Sequence, residues 1–415
     1  MFLKRLTRPK ITLVSIPSQF RYLTSTSVEN STFFQPFLTI PSTFPNKDQI
    51  KENAKNIIQT KVYPSMNKML NYLEVEYIPN ARETIGCSDL PNGKEYYKNQ
   101  VEFFTTTKRT PDEIHELGLS EVTRIKKEMD QIIQQLNFKG TFQEFIGSLK
   151  NDTRFYAKTE EEFLSFIRNV AKRADPELTK LFKTLPRCTY GVRPIDKEQA
   201  KTAPAAFYNP PNSDCSRPGY YYVNTYDLTQ RPLYVYESTT LHETVPGHHF
   251  QIAIANELKN LPKFRTTDSG SFTAFVEGWA LYSESLGDSM GFYKDPYFKF
   301  GSLGDEMLRA CRLVVDTGMH WKSWTRQSAI DFMKTNTPLS DLDIVSEIDR
   351  YITWPGQALA YKSGQLKITE LRENAKKILG DKFDIRDYHD AVLENGSLPL
   401  EILEETVQRF INLKK

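Results

Sequence analysis

A proline-glycine pair inside a histidine-rich stretch constrains this chain more than any other feature. The stretch covers residues 239–251 and reads TTLHETVPGHHFQ, with three of the chain's six histidines inside eight residues. A proline inside a helix clashes with the carbonyl of the fourth preceding residue and cannot donate a hydrogen bond to it. Pro246 stands four residues after His242, so a regular helix cannot continue unchanged through this stretch. We expect a bulge or kink at residues 245–247, of the type found at functional sites.

The residues around this expected bulge are those of a helix-borne zinc site. A His-Glu pair followed by another histidine supplies two imidazole ligands and a carboxylate that acts as general base on the water that the metal activates. In a regular helix, His248 would lie roughly 120° from the face of His242. Two residues looped out at the bulge would bring His248 to the ligand position. We therefore predict His242 and His248 as zinc ligands, with His249 as the alternative to His248, and Glu243 as the base.

A third ligand is predicted in the apolar stretch FTAFVEGWALYSE, residues 272–284. The stretch reads as a helix in which Glu277 and Glu284 lie seven residues apart and hence on one face. A carboxylate on an otherwise apolar surface is costly unless it is paired or bound to a metal. We therefore predict Glu277 as the third zinc ligand, and we expect Glu284 at a solvated helix edge.

Together, these motifs resemble the DUF885 family of uncharacterised proteins. The segments that carry the resemblance are HETVPGHHFQ (242–251), FVEGWALY (275–282) and YITWPGQA (351–358). The similarity extends from about residue 70 to the C-terminus, and the family is similar to zincin-type metallopeptidases with a glutamate as third ligand. The resemblance implies that His242, His248 and Glu277 bind zinc and that Glu243 is the base. It implies no particular substrate.

Two further groups are candidates for stabilising an oxyanion. Arg312, Asp316 and His320 follow one another at four-residue intervals in a predicted helix, so they lie on one stripe. We predict His320 as a hydrogen-bond donor to the oxyanion, with Asp316 fixing its tautomer. The alternatives are that Asp316 orients a zinc-bound histidine or that the three residues form a buried structural group. Tyr351 and Tyr361 are both candidates for a catalytic phenol, and Tyr351 is our first choice.

The rest of the chain predicts a mainly α (α+β) fold. Helical periodicity dominates, and segments 189–195 and 218–225 are rich in aromatic and β-branched residues, which predicts short strands. We expect the second of these to be an edge strand beside the active-site cleft, where an extended peptide can add as a further strand. The expected architecture is therefore zincin-like, helical, and completed by a small sheet that edges the cleft.

Composition excludes some functions and bears on the organisation of the chain. The net charge of +2 provides no electrostatic argument for nucleic-acid binding, and no apolar run reaches the length of a membrane span.

Residues 1–28 contain five basic residues and no acidic residue, typical of either a mitochondrial transit peptide or a basic tail. Residues 30–415 are predicted to form one DUF885-like catalytic domain, as a single body or as two lobes of which the N-terminal one is shortened. Four scattered cysteines favour an intracellular location, either cytoplasmic or mitochondrial.

The predicted function is that of a zinc-dependent metallopeptidase that uses Zn²⁺ to hydrolyse a peptide or a small amide. Two alternatives remain open at the level of sequence. One is a zinc hydrolase that acts on a non-peptide amide or ester, and the other is a non-catalytic binding protein that keeps the fold.

Overall fold

Helices form nearly all of the regular structure of this chain. The computed structural model describes residues 6–200, 203–259, 261–266 and 271–415. The first five residues of the basic segment 1–28 thus lie outside the described residues. The chain divides into two compact units, one ending at Gly93 and the other comprising Lys94–Lys415.

Four α-helices lie in the described part of the first unit, residues 6–93. They are α1 (Ile16–Ser25), α2 (Gln35–Leu38), α3 (Lys47–Ile57) and α4 (Tyr63–Tyr72). Single π-helical turns, Ile58–Val62 and Leu73–Tyr77, follow α3 and α4. A small apolar core lies among these elements and includes Phe34, Ile58 and Tyr63.

The second unit contains the remaining helices. Its first half contributes α5 (Gly93–Thr105), α6 (Pro111–Gln135), α7 (Phe142–Asn151), α8 (Glu160–Ala174), α9 (Leu178–Leu181), α10 (Lys197–Ala200), α11 (Tyr236–Glu243) and α12 (His248–Glu257). Its second half contributes α13 (Thr273–Ser285), α14 (Pro296–His320), α15 (Arg326–Asn336), α16 (Asp341–Thr353), α17 (Ala360–Leu379), α18 (Ile385–Leu393) and α19 (Leu400–Lys414). The mainly α prediction is confirmed. Among the described residues, no helix has the length and apolar character that crossing a bilayer requires.

A three-stranded sheet lies in the second unit. Its strands are β1 (Tyr190–Pro194), β2 (Ala206–Asn209) and β3 (Gly219–Val223), in the order β1-β3-β2. β3 pairs with β1 in parallel and with β2 antiparallel. The two predicted strands are present, but the expectation that the second is an edge strand is wrong, because β2 covers its other side. A peptide therefore cannot add to β3.

Helices α13 and α17 touch through their backbones. A Cβ atom on Gly364 in α17 would lie 1.8 Å from the carbonyl oxygen of Ala274, and one on Gly278 would lie 2.5 Å from the Cα of Gly364. Only glycine at both positions allows so close an approach. Because Glu277 precedes Gly278, this contact places α17 directly beside the predicted third zinc ligand.

Cys188 and Cys215 form a disulfide that the sequence did not predict. The two sulfur atoms lie close to the carboxylate of Glu257, but sulfurs bonded to each other offer no thiolate for a metal. Disulfides persist mainly in oxidising compartments, so this pair removes the cysteine argument for a reducing one. The cytoplasmic or mitochondrial location stays a prediction.

His389 in α18 is a buried histidine held by two hydrogen bonds. Nδ1–H donates to the carbonyl of Leu181 at 2.8 Å, and Nε2 accepts from the hydroxyl of Tyr282 at 2.8 Å. Burial lowers the pKa of His389 to about 3, only partly opposed by the hydrogen bond to Leu181. The ring is therefore neutral in the folded protein near neutral pH.

This burial predicts a loss of stability in mild acid. An unfolded histidine has a pKa of about 6.5, so the unfolded chain takes up a proton that the folded chain does not. The contribution of His389 is complete above pH 6.5 and is lost as the pH falls toward 3. Between pH 7 and pH 5 this loss is about 2 kcal/mol. In urea unfolding at pH 7 and pH 5, the free energy of unfolding should depend less on pH for His389→Gln than for the natural protein. An equal pH dependence of the two proteins would contradict a buried, neutral His389.

Candidate metal centre

The helix that carries the His-Glu pair is interrupted as predicted. α11 ends at Glu243 and α12 begins at His248. Between them, the N–H of Gly247 donates to the carbonyl of Leu241 at 3.0 Å, and the N–H of Phe250 donates to that of Thr244 at 3.3 Å. Each bond spans six residues, whereas an α-helical bond spans four. Two extra residues are therefore inserted between the first and second histidines, and the predicted bulge is present.

Helix α13 holds the bulge in place. The Val245-Pro246 peptide is cis, and the carbonyl of Pro246 accepts hydrogen bonds from Nε1 of Trp279 at 2.8 Å and from the hydroxyl of Ser283 at 3.2 Å. Gly247 lies so close to the preceding turn that a Cβ there would be 1.9 Å from the carbonyl oxygen of His242. The helix that carries Glu277 thus also fixes the backbone between the two histidines.

The bulge brings His242, His248 and Glu277 together. Their donor atoms all lie within 4.8 Å of one another. Oε2 of Glu277 is 3.3 Å from Nε2 of His248 and 3.6 Å from Nε2 of His242. Neighbouring ligand atoms of a tetrahedral zinc site, with bonds of about 2.0 to 2.1 Å, are about 3.3 to 3.4 Å apart. The carboxylate oxygen therefore lies from each imidazole nitrogen at about the spacing that a tetrahedral ion requires.

The hydrogen bonds of these side chains also suit a metal. Nδ1 of His242 lies 2.7 Å from Oε1 of Glu284, and a carboxylate can only accept, so Nδ1 carries the proton. In the neutral ring, Nε2 of His242 then has the lone pair that a metal ligand requires, on the side of Glu277. Among the described residues, Oε2 of Glu277 is buried and has no hydrogen-bond partner. A cation between the three side chains would satisfy these atoms.

Charges of opposite sign stabilise one another within the cluster. Burial opposes charge on His242, but the nearby carboxylates of Glu277 and Glu284 raise its pKa to about 9. Burial likewise favours the neutral form of Glu277, yet the positive charges of His248 and His242 hold its pKa well below the usual range. Two carboxylates thus stabilise positive charge at this place, whether it is carried by protons or by a metal ion.

Glu243 lies next to the first histidine and is not a member of the three-residue cluster. Its side chain is buried, and Oε2 has no hydrogen-bond partner among the described residues. Burial raises the pKa of Glu243, and the charges of His248 and His242 oppose that rise. A buried carboxylate with a raised pKa and an unused oxygen is suited to accept and return a proton.

His249, the alternative ligand, lies away from the cluster. Its Nε2–H donates to the carbonyl of Cys188 at 3.0 Å, and its Nδ1 accepts from the hydroxyl of Tyr208 at 2.8 Å. Both ring nitrogens are therefore engaged with the segment around the disulfide and with β2. The structure groups His248, and not His249, with His242.

The predicted oxyanion residues are bound to other groups. Nε2–H of His320 donates to the backbone carbonyl of Tyr351 at 3.0 Å, and Asp316 accepts from the hydroxyl of Tyr97 at 2.6 Å. The hydroxyl of Tyr351 accepts from Nε of Arg312 at 2.7 Å. The structure does not group His320 or Tyr351 with the metal-ligand cluster, and their catalytic roles stay predictions.

Tyr361, the alternative phenol, lies nearer to the cluster. It precedes Gly364 by one helical turn, and Gly364 touches the backbone of α13 beside Glu277. Burial raises the pKa of Tyr361, and the negative charge of Glu277 raises it further. Its hydroxyl receives a long hydrogen bond of 3.4 Å from Gln357.

The groups that support His242 from behind were not predicted from the sequence. Glu284 was expected to be solvated but is buried, where it binds Nδ1 of His242 and lies 3.5 Å from Nη2 of Arg309. Arg309 in turn pairs with Asp305 at 3.2 Å. The seven-residue spacing of Glu277 and Glu284 was the available signal, because it places both carboxylates on the same face of α13.

We predict that Glu284→Gln weakens metal binding without unfolding the protein. The substitution keeps the side-chain volume but removes the charge that strengthens His242 as a ligand. Loss of such a supporting group typically costs about 10- to 100-fold in metal affinity. Competition with a chelator of known affinity measures the change. Glu370→Gln, an exposed glutamate of α17, is the matched control, and equal affinities for both variants would show that Glu284 does not support the site.

A family model and two solved structures each match nearly the whole chain. Residues 3–407 match the model of a family described as "Bacterial protein of unknown function (DUF885)". A protein described as a putative lipoprotein from Colwellia psychrerythraea has 35% sequence identity and a TM-score of 0.94, over 99% of this chain and 72% of that one. A putative lipoprotein of unknown function from Shewanella oneidensis has 19% identity and a TM-score of 0.70, over 96% of this chain and 73% of that one, which shows the fold alone. No curated protein matches. By its match over residues 3–407, the chain belongs to the DUF885 family.

Proposed function

We propose that this protein is a zinc-dependent peptidase whose metal is held by His242, His248 and Glu277. The observation that supports the proposal is that one carboxylate oxygen lies 3.3 and 3.6 Å from two Nε2 atoms, with all donor atoms of the three residues within 4.8 Å of one another. Three protein ligands leave the fourth position of such an ion open, as catalytic zinc sites require. The nitrogen and oxygen donors suit zinc, although other divalent ions accept the same set.

The chemistry follows from the residues around this cluster. Zinc, when bound, polarises a carbonyl group and lowers the pKa of water. Glu243 takes the proton from the attacking water and later gives it to the leaving amine, a task for which its buried, unpartnered oxygen is suited. Glu284 holds the tautomer of His242. Tyr361 is the phenol placed best to support the developing oxyanion.

The first test measures bound metal in protein purified without chelator. Elemental analysis should find one zinc per chain in the natural protein and in His249→Ala, and none in His248→Ala or Glu277→Gln. His249→Ala is the matched control, because it removes a neighbouring buried imidazole that binds Cys188 and Tyr208 instead. The zinc-loaded protein is then tested on a peptide library and on small amides and esters.

The outcomes separate the candidate functions. Zinc loss only in the cluster variants together with peptide cleavage supports the proposal. Zinc binding with cleavage only of non-peptide amides or esters would replace the peptidase by another zinc hydrolase. A natural protein that takes up no metal, even after zinc is added, would leave a non-catalytic binding protein.

A further inference from the structure

Two arginines share one carboxylate beside Tyr351. Nη2 of Arg312 in α14 donates to Oε2 of Glu347 in α16 at 2.8 Å. Arg350, one turn further along α16, donates to the same carboxylate through Nε at 3.2 Å and Nη2 at 3.0 Å. Burial raises the pKa of Tyr351, so its phenol stays neutral. Within this group of four side chains, two positive charges therefore face the single carboxylate of Glu347.

The arginines also keep unused hydrogen-bond donors. Among the described residues, Nη1 of Arg312 is buried without a partner. Arg350 uses a third N–H on the side-chain oxygen of Gln357 at 2.9 Å, which leaves two of its five N–H groups. The side chain of Arg350 is 32% exposed. A buried, uncompensated guanidinium is costly, so an incoming anion that contacts Arg350 would be favoured by the charge of both arginines.

This group contacts Tyr361, and the charge of Glu277 acts on that tyrosine. The guanidinium of Arg312 stands over the ring of Tyr361, 4.4 Å from its centroid. Gln357, which accepts from Arg350, donates to the hydroxyl of Tyr361 at 3.4 Å. Tyr361 is one helical turn from Gly364, which touches the helix that carries Glu277. Tyr361 thus contacts Arg312 and lies one helical turn from the glycine that touches the helix of Glu277.

We propose that Arg350, supported by the charge of Arg312, binds the carboxylate of the substrate. This rests on the proposed peptidase function and specifies its substrate as a peptide with a free C-terminal carboxylate near the scissile bond. An acidic side chain near that bond offers the same chemistry and is the second source of a carboxylate. The protein is then a peptidase that acts at the C-terminal end of its substrate.

The test uses peptides that differ only at the C-terminus, together with N-acetylphenylalanine and its amide as binding probes. We expect zinc-loaded protein to cleave the free acid with a KM about 10- to 100-fold below that of the C-terminal amide. Arg350→Gln should remove this difference by raising the KM of the acid alone. Calorimetric titration should show N-acetylphenylalanine, but not its amide, binding to the natural protein and not to Arg350→Gln.

The matched control is Arg326→Gln. Arg326 of α15 makes a two-bond ion pair at 2.6 and 2.9 Å with Asp349 of α16, and its side chain is about as exposed as that of Arg350. The Arg326→Gln variant should keep the preference for the peptide with a free C-terminal acid. If Arg350→Gln fails to fold, Gln357→Leu provides a second variant, because it removes the hydrogen-bonded link between Arg350 and Tyr361.

Failure of this proposal is distinguishable from failure of the peptidase function. Equal cleavage of acid and amide overturns the carboxylate site and leaves the peptidase. Arg350-dependent binding of N-acetylphenylalanine without any cleavage supports the carboxylate site and removes the peptidase. Preference for an amide peptide with an aspartate near the scissile bond, lost in Arg350→Gln, retains the site but assigns its carboxylate to a side chain.

Discussion

The Glu243→Gln variant is expected to retain its zinc and to hydrolyse peptide substrates at least about 10³-fold more slowly than the natural protein. The amide has the volume of the carboxylate but cannot accept a proton from water. Because Glu243 is outside the three-residue cluster, removing its charge leaves the donor atoms of His242, His248 and Glu277 in place. A loss of 10³-fold corresponds to about 4 kcal/mol of transition-state stabilisation.

Steady-state kinetics and elemental analysis on the same preparation test this expectation. The matched control is Glu237→Gln, a buried glutamate of the same helix whose carboxylate binds Arg173 and the backbone N–H of Tyr293. That variant should lose stability while its kcat per zinc-loaded molecule stays close to that of the natural protein. A fully active, zinc-loaded Glu243→Gln protein would exclude Glu243 as the base.

The Gly247→Ala variant is expected to lose both stability and zinc. Its Cβ would lie 1.9 Å from the carbonyl oxygen of His242 and 2.4 Å from that of Leu241. Both are backbone atoms, so neither can rotate away, and relief requires the bulge itself to move. Overpacking of this severity costs about 3 kcal/mol or more. Zinc affinity should fall by more than the about 10- to 100-fold expected for Glu284→Gln, because the two histidines change their relative positions.

Gly147→Ala provides the control for this substitution. Gly147 lies inside α7, and a Cβ there would have nothing within 4 Å. Alanine in a helix interior should stabilise the protein by about 0.5 to 1 kcal/mol. Thermal unfolding with and without zinc compares the two variants. If Gly247→Ala bound zinc as tightly as the control, the bulge would not determine the ligand geometry.

The bulge could be predicted from sequence because its cause is local. Pro246 cannot occupy a regular helix four residues after His242, and this constraint acts within one turn. The same reasoning favoured His248 over His249, and the structure groups His248 with His242. Spacing along a helix likewise placed Glu277 on an apolar face, where a carboxylate is costly unless it is paired.

Features that depend on distant segments could not be predicted in this way. β3 is the central strand because residues 206–209 pair with its outer side, and nothing in its own alternation specifies that partner. The burial of Glu284 depends on Arg309 and on the ring of His242, which lie on other helices. Tyr361 lies beside Glu277 because of one glycine contact between α13 and α17. Each of these follows from tertiary packing and not from a local pattern.

The anchoring of the Pro246 carbonyl on α13 has a consequence for metal exchange. One rigid helix presents Glu277 and, through Trp279 and Ser283, also sets the segment that separates the two histidines. The ligand arrangement is therefore preorganised by backbone and indole contacts that persist without an ion. Small zinc domains unfold when a chelator removes their metal. This protein should instead release zinc to a chelator with unchanged helical circular dichroism and take it up again without refolding.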